Sequence, residues 1–66
     1  MDMQEIIDNL QNDIRNEALA LERYELIEFL LVNKGLVLNN YMRYVRYTRE
    51  ELIDRYCECK FEMFNL

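Results

Sequence analysis

Apolar residues recur every three or four positions along most of the chain, which is the spacing of an amphipathic helix. Asp2 and Glu5 have the spacing of a capping box at the start of the first series. The pattern then continues to Lys34, with one slip in phase between Asn16 and Ala20. It predicts a single first helix of roughly 48 Å. The apolar members of this series are Ile6, Ile7, Leu10, Ile14, Ala18, Leu21, Tyr24, Ile27, Leu30 and Leu31.

The single glycine marks a turn between the two halves of the chain. Gly35 stands where a helix C-cap favours glycine, and Leu36 supplies the apolar residue that follows it in a Schellman motif. Apolar spacing resumes after the turn, and the segment Thr48-Arg49-Glu50-Glu51 forms a second capping box. The favoured interpretation is a second helix that breaks near Tyr47 and restarts; a continuous helix to about Phe64 is the alternative.

The composition supports an all-α fold. The chain has no proline and one glycine, whereas hairpins and sandwiches need turn residues at short intervals. We therefore predict one domain over residues 1–66, an antiparallel helical hairpin of two to three helices. A chain of this length buries only about 60% of its unfolded surface. Ile53, Phe61 and Phe64 add apolar surface outside the main stripe, which predicts a homodimeric helical bundle.

The residue types present argue against an enzyme. The chain has no histidine, which is the commonest general base and a common metal ligand. It has no serine for a nucleophilic triad and no glycine-rich loop for phosphates. Cys57 and Cys59 diverge by about 200° on a helix, so they cannot bridge each other or converge on a metal. We predict no catalytic residue, metal or cofactor.

The ends of the chain and its apolar runs predict a cytoplasmic protein. The first residues are acidic and interrupted, unlike a secretory signal peptide. The apolar runs are too short to span a bilayer, so no membrane association is expected. Two unpaired thiols fit a reducing compartment.

The most unusual chemistry lies between residues 41 and 49, where tyrosines and arginines alternate at helical spacing. Such an array suits a protein-binding hot spot, or stacking on RNA or single-stranded DNA with charge pairing to phosphates. A third interpretation is internal, because a tight turn at Gly35 would place each arginine opposite a glutamate. The two rows are Tyr41, Tyr44, Tyr47 and Arg43, Arg46, Arg49, and the expected ion pairs are Arg43–Glu28, Arg46–Glu25 and Arg49–Glu22.

Carboxylates at helical spacing indicate a different kind of site. Glu22, Glu25 and Glu28 form two Glu-x-x-Glu pairs, and Glu51 with Asp54 forms a Glu-x-x-Asp pair. This arrangement resembles the all-α MazG-like nucleoside triphosphate pyrophosphohydrolases, whose motif joins the same two pairs on neighbouring helices. The resemblance implies that these carboxylates hold Mg²⁺, a cation that prefers carboxylate oxygens. It implies Mg²⁺-dependent cleavage of a nucleoside triphosphate as an alternative function.

By elimination, we predict a small acidic protein-binding module, a regulator or inhibitor of phage or mobile-element origin that works as a homodimer. The net charge of −5 favours a partner with a basic surface, such as a protein that normally holds nucleic acid. One face of the second helix, opposite the apolar stripe, carries Glu51, Asp54, Glu58 and Glu62. The same face is where solvated charges are expected in any amphipathic helix. The candidate partner-binding residues are Tyr44, Tyr47, Glu51, Asp54, Glu58, Phe61 and Glu62.

Overall fold

The computed structural model of the protein describes residues 2–64, and this part of the chain forms four α-helices and no strand. The all-α class is therefore confirmed, whereas the predicted number of two to three helices is too low. None of the four helices is both long enough and apolar enough to cross a membrane. Their bounds are α1 Met3–Leu19, α2 Arg23–Lys34, α3 Leu38–Tyr44 and α4 Arg49–Phe64.

Both predicted capping sites start a helix. The Asp2 carboxylate accepts a hydrogen bond from the Glu5 backbone N–H at 2.8 Å, at the start of α1. The Thr48 hydroxyl accepts from the Glu51 N–H at 3.1 Å, and the Glu51 carboxylate accepts from the Thr48 N–H at 3.0 Å. This reciprocal box satisfies two backbone donors that a helix start leaves unpaired. The break near Tyr47 and the restart of the helix are thus confirmed.

The prediction of one continuous first helix is wrong, because the chain turns between Ala20 and Glu22. The Leu21 N–H donates to the Ala18 carbonyl at 3.1 Å, and this bond between residues three apart closes the last turn of α1 in the 3₁₀ manner. Glu22 then adopts an extended backbone, and the Glu25 carboxylate accepts from the Glu22 N–H at 2.9 Å at the start of α2. The slip in phase between Asn16 and Ala20 was the sequence signal of this break.

Gly35 makes the predicted turn after α2, but it does so in a different conformation. Its φ of 134° and ψ of 120° lie outside the left-handed helical region that a Schellman motif needs. Leu36 is exposed and does not supply the expected apolar contact. The Asn40 side chain instead donates to the Gly35 carbonyl at 2.9 Å, which ties the turn to α3.

The core forms where α4 lies between α1 and α2. α1 and α4 are antiparallel, because the contacts Arg15–Asp54 and Leu19–Arg49 run in opposite order along the two helices. α2 and α4 are parallel, because the contacts Phe29–Tyr56 and Lys34–Glu62 run in the same order. α3 packs mainly on α2. The buried residues are Ile14, Ala18, Leu26, Ile27, Leu30, Tyr44, Leu52, Ile53, Tyr56 and Cys59.

Two arginines hold the helix ends together across the breaks. Arg49, the first residue of α4, donates to the Leu19 carbonyl at the end of α1, at 3.0 Å. Arg23, the first residue of α2, donates to the Val45 carbonyl after the end of α3, at 2.8 Å. The last carbonyls of a helix have no partner within the helix and carry partial negative charge, so a guanidinium stabilises them. Each break is therefore closed by a side chain from another helix.

Candidate protein-binding surface on α3

The short helix α3 carries an apolar stripe that faces solvent. Its members have the i, i+3, i+4, i+7 spacing of one helix face. Together with the two residues before the helix, these side chains are 39% to 78% exposed, which is unusual for six apolar residues adjacent in space and sequence. We call this surface the α3 face, and it consists of Leu36, Val37, Leu38, Tyr41, Met42 and Val45.

A groove between α2 and α3 extends the α3 face. Its volume is about 270 Å³, and its walls are almost entirely apolar, with Glu28 as the one charged residue at its edge. Tyr24 on α2 adds an exposed ring to the rim. Grooves of this kind accept the apolar side of a partner helix. The lining residues are Tyr24, Ile27, Glu28, Leu31, Leu36, Tyr41 and Val45.

The α3 face lies in a positively charged part of an acidic chain. Residues 29–49 contain four cations and no carboxylate, although the whole chain has a net charge of −5. Arg46 follows the stripe directly, is exposed, and takes part in none of the ion pairs found among residues 2–64. The local charge at the α3 face is therefore positive, although the net charge of the chain is negative.

The predicted arginine ladder is wrong. None of the ion pairs within residues 2–64 joins Arg43, Arg46 or Arg49 to a glutamate of α2. Arg49 caps α1, and the Arg43 guanidinium lies 5.2 Å from the centre of the Tyr44 ring. The break at Val45 turns the chain before the third arginine, so the three guanidinium groups do not form one row.

The same break separates the predicted tyrosine row into three environments. Tyr41 is exposed on the α3 face, whereas Tyr44 is only 3% exposed and belongs to the core. Tyr47 is half-buried, with its ring 5.9 Å from that of Tyr44 and 5.6 Å from the Arg55 guanidinium. Tyr44 was predicted to contact a partner, and in the described fold nearly all of its side chain is enclosed.

The predicted acidic row on α4 is exposed, as its phase opposite Leu52 and Tyr56 required. Three of its four carboxylates are, however, already paired with cations of the same chain. Phe61 is half-buried against the core and lines a cavity between α1 and α4. These surface pairs are Arg15–Asp54 at 3.2 Å, Arg55–Glu58 at 3.5 Å and Lys34–Glu62 at 3.0 Å, and Glu51 is used in the cap of α4.

The carboxylates of the MazG-like pattern serve as helix caps and surface ion pairs. Glu25 caps the start of α2, Glu51 caps the start of α4, and Asp54 pairs with Arg15. The backbone N–H of Thr48 and its hydroxyl lower the pKa of Glu51. Within residues 2–64, no three acidic, cysteine or histidine side chains come together in a group that could hold a metal ion.

A polar network that the sequence did not predict joins α1 to α4. The Tyr56 hydroxyl donates to the Glu17 carboxylate, which also pairs with Lys60 at 3.1 Å. The Tyr56 hydrogen bond, followed by Lys60, lowers the pKa of Glu17. Burial, followed by the Glu17 interaction, raises the pKa of Tyr56. The Phe29 ring lies 4.5 Å from the Tyr56 ring, and Glu17 is exposed, so the network lies at the edge of the core.

The two cysteines are free thiols within the fold. Cys59 is buried in the core, and Cys57 is half-buried, where burial raises the pKa of its thiol. A raised pKa leaves little reactive thiolate at neutral pH.

No protein-family model, curated protein or solved structure matches the chain.

Proposed function

We propose that the protein is a small, non-enzymatic protein-binding module that uses the α3 face to hold an amphipathic, acidic helix of another protein. The observation that carries this proposal is an exposed apolar stripe beside an apolar groove, within a stretch that contains no carboxylate. A module of this size acts by occupying a surface of its partner, as a regulator or inhibitor does.

The apolar part of the surface supports a helical partner. Leu38, Tyr41 and Met42 stand on one side of α3, and the groove between α2 and α3 lies beside them. A partner helix with apolar residues at the same spacing buries its stripe against both. Tyr41 and Tyr24 are the largest exposed side chains at this place, and tyrosines are frequent hot spots of protein interfaces.

The charge around the surface supports an acidic partner. Arg46 borders the stripe without a carboxylate partner in the described part of the chain. A partner with glutamate or aspartate beside its apolar residues pairs with the Arg46 guanidinium and arrives faster at low salt. A basic partner would leave like charges facing each other.

Two synthetic helical peptides test this proposal by fluorescence anisotropy. Both carry leucine at i, i+3, i+4 and i+7, and one has glutamate and the other lysine at the flanking positions. We expect the acidic peptide to bind at least about tenfold more tightly. The double substitution Leu38→Ser with Met42→Ser should weaken its binding by about tenfold or more, because it removes apolar contact without changing charge.

Val32→Ser is the matched control, since Val32 is equally exposed but lies outside the α3 face. It should change binding by less than about twofold. Equal binding of both peptides, or equal loss in Val32→Ser, would contradict the proposal.

A second copy of the chain is the competing occupant of the α3 face, in keeping with the homodimer predicted from the sequence. Sedimentation equilibrium of the protein alone distinguishes the two occupants. The proposal expects a monomer at the concentrations used for peptide binding. A dimer that becomes a monomer in the Leu38→Ser, Met42→Ser variant would assign the α3 face to self-association instead.

A further inference from the structure

A second, polar cleft opens on another side of α3, where α2, α3 and α4 meet. Its volume is about 390 Å³, within the range of small-molecule sites in proteins. Buried Leu30, Tyr44 and Cys59 contribute to its lining, and the half-buried Tyr47 lines it beside Tyr44. The cleft is distinct from the α3 face, because the two share no lining residue. The remaining lining residues are Lys34, Asn40, Arg43, Arg55 and Glu58.

Three cations from three different helices line this cleft. Lys34 comes from α2, Arg43 from α3 and Arg55 from α4, against the single carboxylate of Glu58. Glu58 pairs with Arg55 at 3.5 Å, and the Lys34 ammonium turns to Glu62 at 3.0 Å. Arg43 pairs with no carboxylate among residues 2–64; its contact is a long hydrogen bond of 3.4 Å to the Tyr44 hydroxyl. The cleft thus keeps an excess of positive charge.

We propose that this cleft binds a small phosphate monoester, such as a nucleoside monophosphate, through Arg43, Arg55 and Lys34. A phosphate dianion matches two or three cations, and the guanidinium fork fits its oxygens with paired hydrogen bonds. The Tyr44 hydroxyl accepts from Arg43 and keeps its own proton to donate into the cleft.

The space beyond the phosphate suits an organic ring. A volume of about 390 Å³ exceeds what a phosphate alone needs, and the Arg55 guanidinium already lies over the Tyr47 ring, 5.6 Å from its centre. Aromatic rings and guanidinium planes stack on flat ring systems. Adenosine monophosphate is therefore a suitable probe, with inorganic phosphate and adenosine as its two parts.

Chemical-shift perturbation of the ¹⁵N-labelled protein tests the site directly. We expect adenosine monophosphate and inorganic phosphate to shift the amides of Asn40, Tyr44 and Cys59, and adenosine alone to leave them unchanged. The monophosphate should bind more tightly than phosphate by about threefold or more, from ring contact. Shifts with adenosine alone, or none with either phosphate, would overturn the proposal.

Charge variants separate a defined site from diffuse attraction. Arg43→Gln should weaken binding of the monophosphate by about tenfold, because it removes the guanidinium that has no competing carboxylate. Arg46→Gln, at an exposed cation of the same segment that does not line the cleft, should change it by less than about twofold. Equal weakening in both variants would show nonspecific attraction and overturn the site.

A third variant is expected to strengthen binding of the monophosphate instead of weakening it. Glu58→Gln removes the carboxylate that competes for Arg55, so binding should tighten by about threefold. Glu50→Gln, an exposed position outside the cleft, is its matched control and should have little effect. Weaker binding in Glu58→Gln would contradict the proposed arrangement of charges. Leu38→Ser should leave phosphate binding unchanged, which keeps this test independent of the α3 face.

Discussion

The interior between α1, α2 and α4 differs sharply from the surroundings of α3. In the interior, Leu26, Leu30 and Leu52 are almost fully enclosed, and the ion pair of Glu17 with Lys60 sits at its edge. Around α3, an apolar stripe faces solvent and Arg46 has no carboxylate partner in the described chain. The same residue types are thus enclosed in one region and exposed in the other.

The difference follows from how many neighbours each helix has. α4 lies between two helices, so both sides of its apolar surface are covered, including Ile53. α3 has only seven residues and packs mainly on α2, so one face of it stays open. The exposed side chains of α3 therefore contribute little to the stability of the fold. Substitutions in the two regions test this difference.

The largest effect is expected from truncating a leucine in each region. Leu52→Ala should lower the free energy of unfolding by about 2–5 kcal/mol, because a fully buried side chain leaves a cavity. Leu38→Ala should change it by less than about 0.5 kcal/mol, because the side chain is exposed. Urea denaturation of the two variants measures both values. A similar cost for both would mean that something covers the α3 face in solution.

The next effect concerns the turn that joins the two regions. Gly35→Ala should destabilise the protein by about 1–3 kcal/mol, because a φ of 134° is strained for any residue with a side chain. An added Cβ would also lie 2.9 Å from the Asn40 side-chain nitrogen. Hydrogen exchange should show the loss concentrated in α3. Asn40→Ala removes that crowding, and if it restored full stability to Gly35→Ala, backbone strain would not be the cause.

A smaller effect is expected from the hydroxyl that joins α4 to α1. Tyr56→Phe should cost about 1 kcal/mol, since Glu17 loses a hydrogen bond from a buried donor. Tyr47→Phe is the control and should stay within about 0.5 kcal/mol. Because burial raises the pKa of Tyr56, wild-type stability should also fall above a pH of about 10, where an unfolded tyrosine ionises. Thermal unfolding at pH 7 and above pH 10 measures both effects.

The smallest effect is a pH dependence from Glu17. Its pKa is lowered in the folded protein by Tyr56 and Lys60, so its ionised form stabilises the fold above the ordinary glutamate pKa of about 4.3. This stabilisation should disappear as the pH falls through the lowered pKa. The difference in melting temperature between the wild type and Glu17→Gln should therefore shrink in acid. A difference that stays constant from pH 7 to pH 3 would exclude this origin.

Local sequence signals predicted three of the helix ends in the described chain. Asp2, Thr48 and Gly35 each act over three to five residues, through a cap or a turn, and each stands where the pattern placed it. The break after Ala20 had a signal too, in the slip of phase, but an uninterrupted apolar series outweighed it. The Glu22 and Glu25 pair, read as a carboxylate motif, starts α2 instead.

Helix periodicity and capping depend on neighbouring residues, so they were enough to predict an all-α chain with a turn at its glycine. Which side chains meet depends instead on how the helices pack. Two breaks redirected Arg49 to the end of α1, buried Tyr44 and left the α3 face open. A turn of three or four residues changes the direction of everything after it, and side-chain spacing along one helix carries no information about that change.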